Sequence, residues 1–142
     1  MVTNKFDLPK FVVDALTYSD YTRGDSDISV TQLIDSPRIA RLQREHADEQ
    51  TKDAVDFVWS RFGTSVHVMF EESLKATGSD VITEERLFTE TQGWSLSGAI
   101  DAQEVSDDGV IISDFKVTSA WSVIYGKSSW NTQLNVYAYL VR

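Results

Sequence analysis

Two aspartates and a lysine in the second half of the chain are the residues best suited to chemistry. Asp101 lies in one β-prone run, and Asp114 and Lys116 end the next run, after the turn-forming segment Ser106–Gly109. Asp114 and Lys116 are two residues apart, so their side chains share a strand face. A symmetric turn sets Asp101 opposite Asp114, and a turn at Asp108-Gly109 sets it opposite Lys116. Either register predicts all three side chains on one face.

This arrangement indicates metal-assisted chemistry on phosphate. Two adjacent carboxylates repel each other unless a cation lies between them. Their oxygens suit a hard divalent ion such as Mg²⁺ or Mn²⁺. A nearby lysine can hold an attacking water or stabilise negative charge on phosphate. The alternative is an ordinary solvated strand face, where Asp and Lys are common.

A predicted helix from Thr51 to Ala76 carries a second set of candidates. Gly63, His67 and Glu71 recur every four residues and share one face. The glycine costs a helix interior about 1 kcal/mol, which suggests close packing there. His67 is either a core histidine or a third metal ligand, and its imidazole suits Mn²⁺ better than Mg²⁺. Glu71 either orients His67 or a metal-bound water, or forms a surface ion pair.

The C-terminal part offers polar and aromatic groups that could contact a substrate. Gln133 and Tyr137 lie one turn apart in a last element predicted as a helix over 130–142, where the alternatives are helix surface, core edge or a β-strand. The segment 118–131 is predicted as a loop that holds substrate, because aromatic rings stack on unpaired bases. Core burial is the alternative for its two tryptophans. The four substrate candidates in this loop are Trp121, Tyr125, Lys127 and Trp130.

Composition narrows the class of protein. The 142 residues predict one domain, and 42% hydrophobic content with 11% aromatic residues is typical of a folded one. The absence of cysteine excludes disulfides, thiol catalysis and an iron–sulfur cluster. We find no secretion signal or apolar run of membrane-spanning length, so a cytoplasmic location is expected. The net charge of −9 argues against a broad basic nucleic-acid surface. Arg38, Arg41 and Arg44 fit a solvated helix face better than a phosphate contact.

The order of elements predicts an α/β (α+β) domain with an antiparallel meander packed on helices. Residues 1–27 are expected to be irregular, a short helix is expected from Thr31, and Ser36-Pro37 is expected to start a helix to Glu49. Three β-prone runs cover 81–90, 94–105 and 110–117. The helix to Ala76 should end at Thr77-Gly78. Its predicted buried stripe comprises Val55, Val58, Trp59, Phe62, Val66, Met69, Phe70 and Leu74.

Taken in order, these motifs resemble the RecB-like nucleases of the PD-(D/E)XK superfamily. The resemblance runs from about Ile28 to the end of the chain, and the absence of cysteine is a departure from relatives that carry an iron–sulfur cluster. The matching segments are Ser29-Val-Thr31 with Ser36-Pro37, Gly63-Thr-Ser-Val-His67 with Glu71, Gly98-Ala-Ile-Asp101, Val110-Ile-Ile-Ser-Asp114-Phe-Lys116 and Gln133-Leu-Asn-Val-Tyr137.

The resemblance implies a restriction-endonuclease-like core, an antiparallel-to-mixed sheet flanked by helices. The family fold continues past the Gln/Tyr helix, so the chain is expected to be either a truncated fragment or a minimal domain that lacks the last strand. A truncated core would expose a sheet edge through which it could self-associate. Among the site residues, the family implies His67, Asp101, Asp114 and the Phe115 carbonyl as metal ligands. It implies catalytic roles for Asp101, Asp114, Lys116 and Glu71, and supporting contacts to the site or the DNA from Gln133 and Tyr137.

The implied activity is that of an Mg²⁺- or Mn²⁺-dependent deoxyribonuclease, and an exonuclease is the type expected. Its partner would be single-stranded DNA or duplex ends, in recombination, repair or phage DNA processing, in a bacterial or phage-infected cell and away from membranes. The alternative is a catalytically impaired module of the same fold that binds nucleic acid or a partner protein.

Overall fold

One long strand organises the sheet of this protein. The structure is a computed structural model, which describes residues 1–19, 21–22 and 24–142. The central strand pairs antiparallel with its neighbour on one side, and with a short parallel strand and an antiparallel strand on the other. The strands are β1 (Val2–Thr3), β2 (Ile28–Ser29), β3 (Lys52–Asp53), β4 (Ile82–Thr91), β5 (Trp94–Ser106, the central strand) and β6 (Gly109–Ser113).

Helices pack on this mixed sheet, so the expected α/β class with an antiparallel-to-mixed sheet is confirmed. Two short 3₁₀ segments, Ala47–Glu49 and Ala54–Phe57, join some of the elements. No helix among the described residues is both long and apolar enough to span a membrane. The helices are α1 (Lys10–Thr17), α2 (Val30–Ile34), α3 (Pro37–Glu45), α4 (Val58–Ala76), α5 (Ala120–Tyr125) and α6 (Ser128–Leu140).

The β5–β6 hairpin adopts the symmetric register. Ser106 pairs with Gly109, and Ala102 pairs with Ser113. Asp107 and Asp108 therefore form the two-residue turn. Asp114 is the next residue after Ser113, so it lies level with Asp101 just beyond the paired part of β6. The alternative register, with Asp101 opposite Lys116, is excluded.

The core lies where α6 crosses β5. Its buried side chains come from α2, β5 and α6, and burial of each large aliphatic or aromatic side chain stabilises the fold by roughly 1.5–3 kcal/mol. Gly98 lies at the crossing: a Cβ atom there would be 2.7 Å from Leu140 Cδ1 and 2.8 Å from Tyr137 Cε1. Only glycine allows α6 to approach β5 this closely. The core residues are Val30, Leu96, Ile100, Tyr137 and Leu140.

The N-terminal residues are more ordered than expected. The prediction of an irregular segment over 1–27 is wrong for β1 and α1, since β1 pairs in parallel with β3. Asp53 fixes this pairing, because the Thr3 hydroxyl and the Lys5 backbone N–H both donate to its Oδ2, at 2.8 and 2.9 Å. A single buried carboxylate thus joins two segments far apart in sequence. Composition does not reveal such pairing.

Helix α4 differs from its prediction at one end and on one face. It begins at Val58, because Lys52–Asp53 form β3 and Asp53 caps a 3₁₀ turn over 54–57. Its expected end at Thr77-Gly78 is confirmed, with Gly78 at a φ of +66°. The predicted buried stripe is wrong: no residue of α4 is fully buried, and Trp59 is 75% exposed. A helical period shows that a helix is amphipathic, but not how much of its apolar face is covered.

Two other boundaries differ from the predictions. The segment 118–131 is not a loop, since Ser119 accepts a hydrogen bond from the Ser122 N–H and starts α5. Gly126, at a φ of +69°, separates α5 from α6, and the prediction of a last helix is confirmed with an earlier start. The helix from Pro37 ends at Glu45, and a 3₁₀ segment replaces its expected last turn.

Candidate metal centre and cleft

His67 projects from α4 toward the sheet. Its Nε2 lies 3.0 Å from the Phe115 carbonyl oxygen. A carbonyl only accepts hydrogen bonds, so Nε2 carries the hydrogen. The other ring nitrogen, Nδ1, lies 3.3 Å from Asp101 Oδ1 and 3.5 Å from Glu84 Oε1. The imidazole therefore directs its second nitrogen at two carboxylates.

These three side chains form a candidate cation site. One ligand atom from each of His67, Glu84 and Asp101 lies within 4.8 Å of the other two. One imidazole nitrogen and two carboxylate oxygens are donors that Mn²⁺ accepts, and the oxygens also suit Mg²⁺. The expected pair His67 and Asp101 is thus brought together. The donor set fits the metal that the sequence predicts, with Glu84 as an additional member.

Glu84 is the site residue that the sequence analysis missed. Its neighbours in β4 pair with β5, Thr83 with Ala102 and Glu85 with Ile100, which sets Glu84 level with Asp101. Its φ of +51° is unusual for a non-glycine residue inside a strand. It belongs to no motif quoted above, and two adjacent glutamates in a β-prone run look like a solvated edge. Only the β4–β5 register would have found it.

Asp114 lies beside this cluster and not within it. The Lys116 ammonium Nζ is 2.6 Å from Asp114 Oδ2. The Gln133 amide donates to Asp114 Oδ1 at 3.2 Å and to the Tyr137 hydroxyl at 2.9 Å. The predicted Asp114–Lys116 pair is therefore an ion pair held by Gln133. Gln133 and Tyr137 are both buried, which excludes the helix-surface alternative.

The environment makes the two cluster carboxyls harder to ionise. Burial raises the pKa of Asp101 above its ordinary value of 3.8, and the nearby Asp114 charge acts in the same direction. The Phe115 backbone N–H donates to Asp101 Oδ2 at 2.6 Å and opposes this rise. Burial, followed by the Asp101 charge, raises the pKa of Glu84. Burial also raises the pKa of Tyr137 to about 12, so its hydroxyl stays protonated at neutral pH.

The other two helix candidates, Glu71 and Gly63, contribute no contact to the cluster. Glu71 lines the cleft, but its Oε1 lies 2.5 Å from Lys75 Nζ, as in the surface-pair alternative. Gly63 does not mark close packing, since a Cβ atom there would meet nothing within 4 Å among the described residues. The expectation of a tight contact at Gly63 is wrong.

A cleft of about 570 Å³ contains the site. Two arginines that the sequence analysis did not select, Arg61 on α4 and Arg86 on β4, line it together with the Ser29 and Thr31 side chains. Arg61 Nε donates to the Leu16 carbonyl at 2.9 Å. Neither arginine belongs to a motif, and the two are far apart in sequence, so the sequence alone does not indicate that they line the same cleft. The lining of the cleft thus includes two guanidinium groups, which we call the basic wall, as well as the acidic cluster.

The aromatic candidates after β6 lie outside this cleft lining in the described part of the chain. Trp121 is 66% exposed and stacks on Tyr125, with ring centroids 6.0 Å apart. Lys127 Nζ lies 5.9 Å from the ring centroid of the half-buried Trp130. The core alternative is therefore excluded for Trp121. On α3, the exposed Arg41 pairs with Glu45 at 2.7 Å, as on a solvated helix face.

Comparison with known proteins supports the fold and gives no information about activity. No protein-family model and no curated protein matches the chain. A solved structure described as "Crystal structure of SSO0001" is similar, with a TM-score of 0.62, 19% identity and coverage of 92% of this chain. This chain spans 65% of the length of that one. At this identity the likeness shows a shared fold alone.

Proposed function

We propose that this protein is a divalent-metal-dependent deoxyribonuclease. The observation that carries the proposal is the meeting of His67 and Asp101 around one point, with the Asp114–Lys116 ion pair in the same cleft. Nitrogen and oxygen ligands beside a lysine form a set suited to hydrolysis of phosphate esters. The resemblance to RecB-like nucleases supports the choice of DNA as the substrate.

The ligands for the metal would be His67 and Asp101, joined by Glu84. When bound, a divalent ion supplies charge stabilisation for the phosphate and lowers the pKa of a water molecule. The Lys116 ammonium is placed to orient the attacking water or to stabilise charge on the phosphate. Asp114 holds that ammonium in place at 2.6 Å, and Gln133 holds Asp114.

The basic wall supports a polyanionic substrate. Arg61 and Arg86 line the cleft that contains the acidic cluster, although the chain as a whole carries a net charge of −9. Guanidinium groups bind phosphate through paired N–H donors. The cleft therefore contains cationic groups that could contact phosphate, and we expect contacts to the DNA backbone and not to the bases.

The test is cleavage of end-labelled single- and double-stranded DNA by the full chain. We expect products with Mg²⁺ or Mn²⁺ and none with a chelator. Lys116→Ala should abolish cleavage and leave metal binding intact, whereas Lys10→Ala, in an exposed ion pair on α1, should cleave normally. If the full chain binds DNA but cleaves none of these substrates with either metal, the alternative of a nuclease-fold binding module replaces the proposal.

A further inference from the structure

We propose that Arg86 binds the terminal phosphate of a DNA strand, so that the cleft selects phosphorylated strand ends over internal segments. The inference rests on the proposed nuclease function and names the part of the substrate that the cleft recognises. Arg86 belongs to the basic wall and is two residues beyond Glu84 on β4. The position for this phosphate is therefore distinct from the candidate metal cluster.

One face of the β4–β5 pair forms the floor of the cleft. Asp101, Ala99 and Ser97 alternate along β5, and all three line the cleft. Arg86 pairs with Ala99, and Glu84 lies level with Asp101, so Arg86 follows the acidic cluster along this floor. At about 3.4 Å per residue, Ser97 lies roughly 14 Å from Asp101 along the strand. A DNA strand that runs along the floor from the cluster therefore reaches Arg86 and then Ser97.

Residues 24–27 cross the same face at the level of Ser97 and close this end of the floor. The Ser26 and Ser97 hydroxyl oxygens lie 2.7 Å apart, and the Asp27 N–H donates to the Ser95 carbonyl at 2.9 Å. Gly24 lies against Phe88, the cross-strand partner of Ser97, since a Cβ atom on Gly24 would be 2.9 Å from Phe88 Cζ. A DNA strand on this floor has no straight path past Ser97, which favours a strand end over a continuous strand.

Arg86 is a half-buried cation that pairs with no carboxylate in the part of the chain that the structure describes. Its Nη1 donates to Ser97 Oγ at 3.3 Å, and its guanidinium carbon lies 5.6 Å from the centre of the Tyr21 ring. These contacts position the guanidinium but do not neutralise it. Because a partly buried charge is costly unless it is paired, an anion from outside the protein is the expected partner.

The donors around Arg86 suit a phosphate monoester. The guanidinium has five N–H donors, of which Ser97 takes one, and the nearby Ser29 and Thr31 hydroxyls, 3.0 Å apart, line the same cleft. A terminal phosphate carries about −1.5 to −2 charges at pH 7, whereas an internal phosphodiester carries about −1. Paired guanidinium donors therefore bind the terminal group more strongly. Charge and the closed floor thus favour the same part of the substrate.

The test is binding of one internally labelled single-stranded oligonucleotide to the full chain, measured by fluorescence anisotropy in Ca²⁺. Its forms carry a 5′-phosphate, a 3′-phosphate or hydroxyls at both ends, and a closed circle of the same sequence has no end. We expect the Kd of one phosphorylated form to be about tenfold below those of the hydroxyl form and the circle. Arg86→Gln should reduce this preference to less than about twofold, whereas Arg38→Gln, on the exposed face of α3, should keep it.

Equal affinity of wild type for all four forms, or a full preference in Arg86→Gln, would overturn the inference. If Arg86→Gln does not keep the wild-type circular dichroism spectrum, Arg86→Lys decides. Lysine keeps the charge but not the paired donors, so an undiminished preference in Arg86→Lys would also overturn it. Preference for a phosphorylated end without cleavage in Mg²⁺ or Mn²⁺ would leave end recognition standing and remove the nuclease proposal. Cleavage without any preference would do the reverse.

Discussion

The Asp101 carboxylate accepts a 2.6 Å hydrogen bond from the Phe115 backbone N–H. The carbonyl of the same Phe115 accepts from His67. The backbone of one residue thus joins β5, the segment after β6 and helix α4. Because Lys116 follows Phe115 directly, this contact also sets where the lysine leaves the sheet.

The backbone contact of Asp101 and its proposed contact with a metal can be separated by substitution. Asp101→Ala leaves the Phe115 N–H without its acceptor and should lower the free energy of unfolding by about 1–3 kcal/mol. Asp101→Asn keeps an oxygen acceptor and removes a charge beside Glu84, so the metal-free protein should be at least as stable as wild type. Urea denaturation of both variants checks this. Both should lose Mn²⁺ affinity, and equal destabilisation by the two would contradict the prediction.

Two glycines that the motifs treat alike should respond oppositely to alanine. Gly98→Ala places a Cβ atom 2.7–2.9 Å from Leu140, Tyr137 and Val30 and should destabilise the fold by about 1–3 kcal/mol. Gly63→Ala meets nothing within 4 Å in the described residues and lies inside α4. It should stabilise by up to about 1 kcal/mol. Unfolding curves of the pair, measured together, provide their own control.

The sequence predicts what local patterns determine. The β5–β6 hairpin, the Asp114-x-Lys116 spacing and the positions of Gln133 and Tyr137 on one helix follow from turn chemistry and periodicity, and the structure brings them together. The contact between Gly98 and Tyr137 explains why a glycine precedes Asp101 by three residues. Each of these features depends on short-range spacing or on a motif.

The features that the sequence does not predict depend on the pairing of strands distant in sequence and on which elements pack over an apolar face. Glu84 reaches the candidate site through the pairing of β4 with β5, and Arg61 of α4 and Arg86 of β4 line one cleft although they are 25 positions apart. The exposure of Trp59 likewise depends on what covers α4, which a helical period does not state. The strand pairing of β1 with β3 brings together residues about fifty positions apart. No local pattern encodes that.

Acid should weaken the metal site before it affects ordinary carboxylates. The pKa values of Asp101 and Glu84 are raised above their ordinary values of 3.8 and 4.5, so protons compete with the metal at higher pH. Without metal, folded-state pKa values above the unfolded ones mean that these two groups add stability as pH falls through the folded values. With Mn²⁺ bound, stability should instead decrease as pH falls, because protonation of these carboxyls displaces the metal. The gain in Tm on adding Mn²⁺ should therefore be smaller at an acidic pH, close to the raised pKa values, than at pH 7.

A variant checks that this pH effect comes from the cluster. In Glu84→Gln the gain in Tm from Mn²⁺ should be smaller at pH 7 and should fall less on acidification. Thermal melts of wild type and Glu84→Gln at pH 7 and at one acidic pH, each with and without Mn²⁺, give the four gains in Tm that are compared. A gain that is constant with pH in wild type would contradict the raised pKa values.

The basic wall of the cleft should contribute to DNA affinity and not to metal affinity. Arg86→Ala removes a guanidinium group from the cleft lining and, if that group contacts phosphate as proposed, should weaken binding to duplex and single strands alike, with a smaller dependence on salt. Arg44→Ala, on the exposed face of α3, is the matched control and should bind normally. Fluorescence anisotropy in Ca²⁺ at several salt concentrations measures both. Equal losses in the two variants would indicate a diffuse charge effect and not a cleft contact.

The exposed stack on α5 should favour unpaired DNA. Trp121 is 66% exposed and stacks on Tyr125, a few residues after Lys116, and a base added to this stack is worth about 1–3 kcal/mol. Trp121→Ala should therefore weaken single-strand binding with little change in duplex binding or in Tm. Trp94→Ala, at the β4–β5 turn and 60% exposed, removes an equally exposed ring and should leave binding unchanged. A large drop in Tm for Trp121→Ala with normal binding by the folded fraction would assign Trp121 to packing and exclude the stacking role.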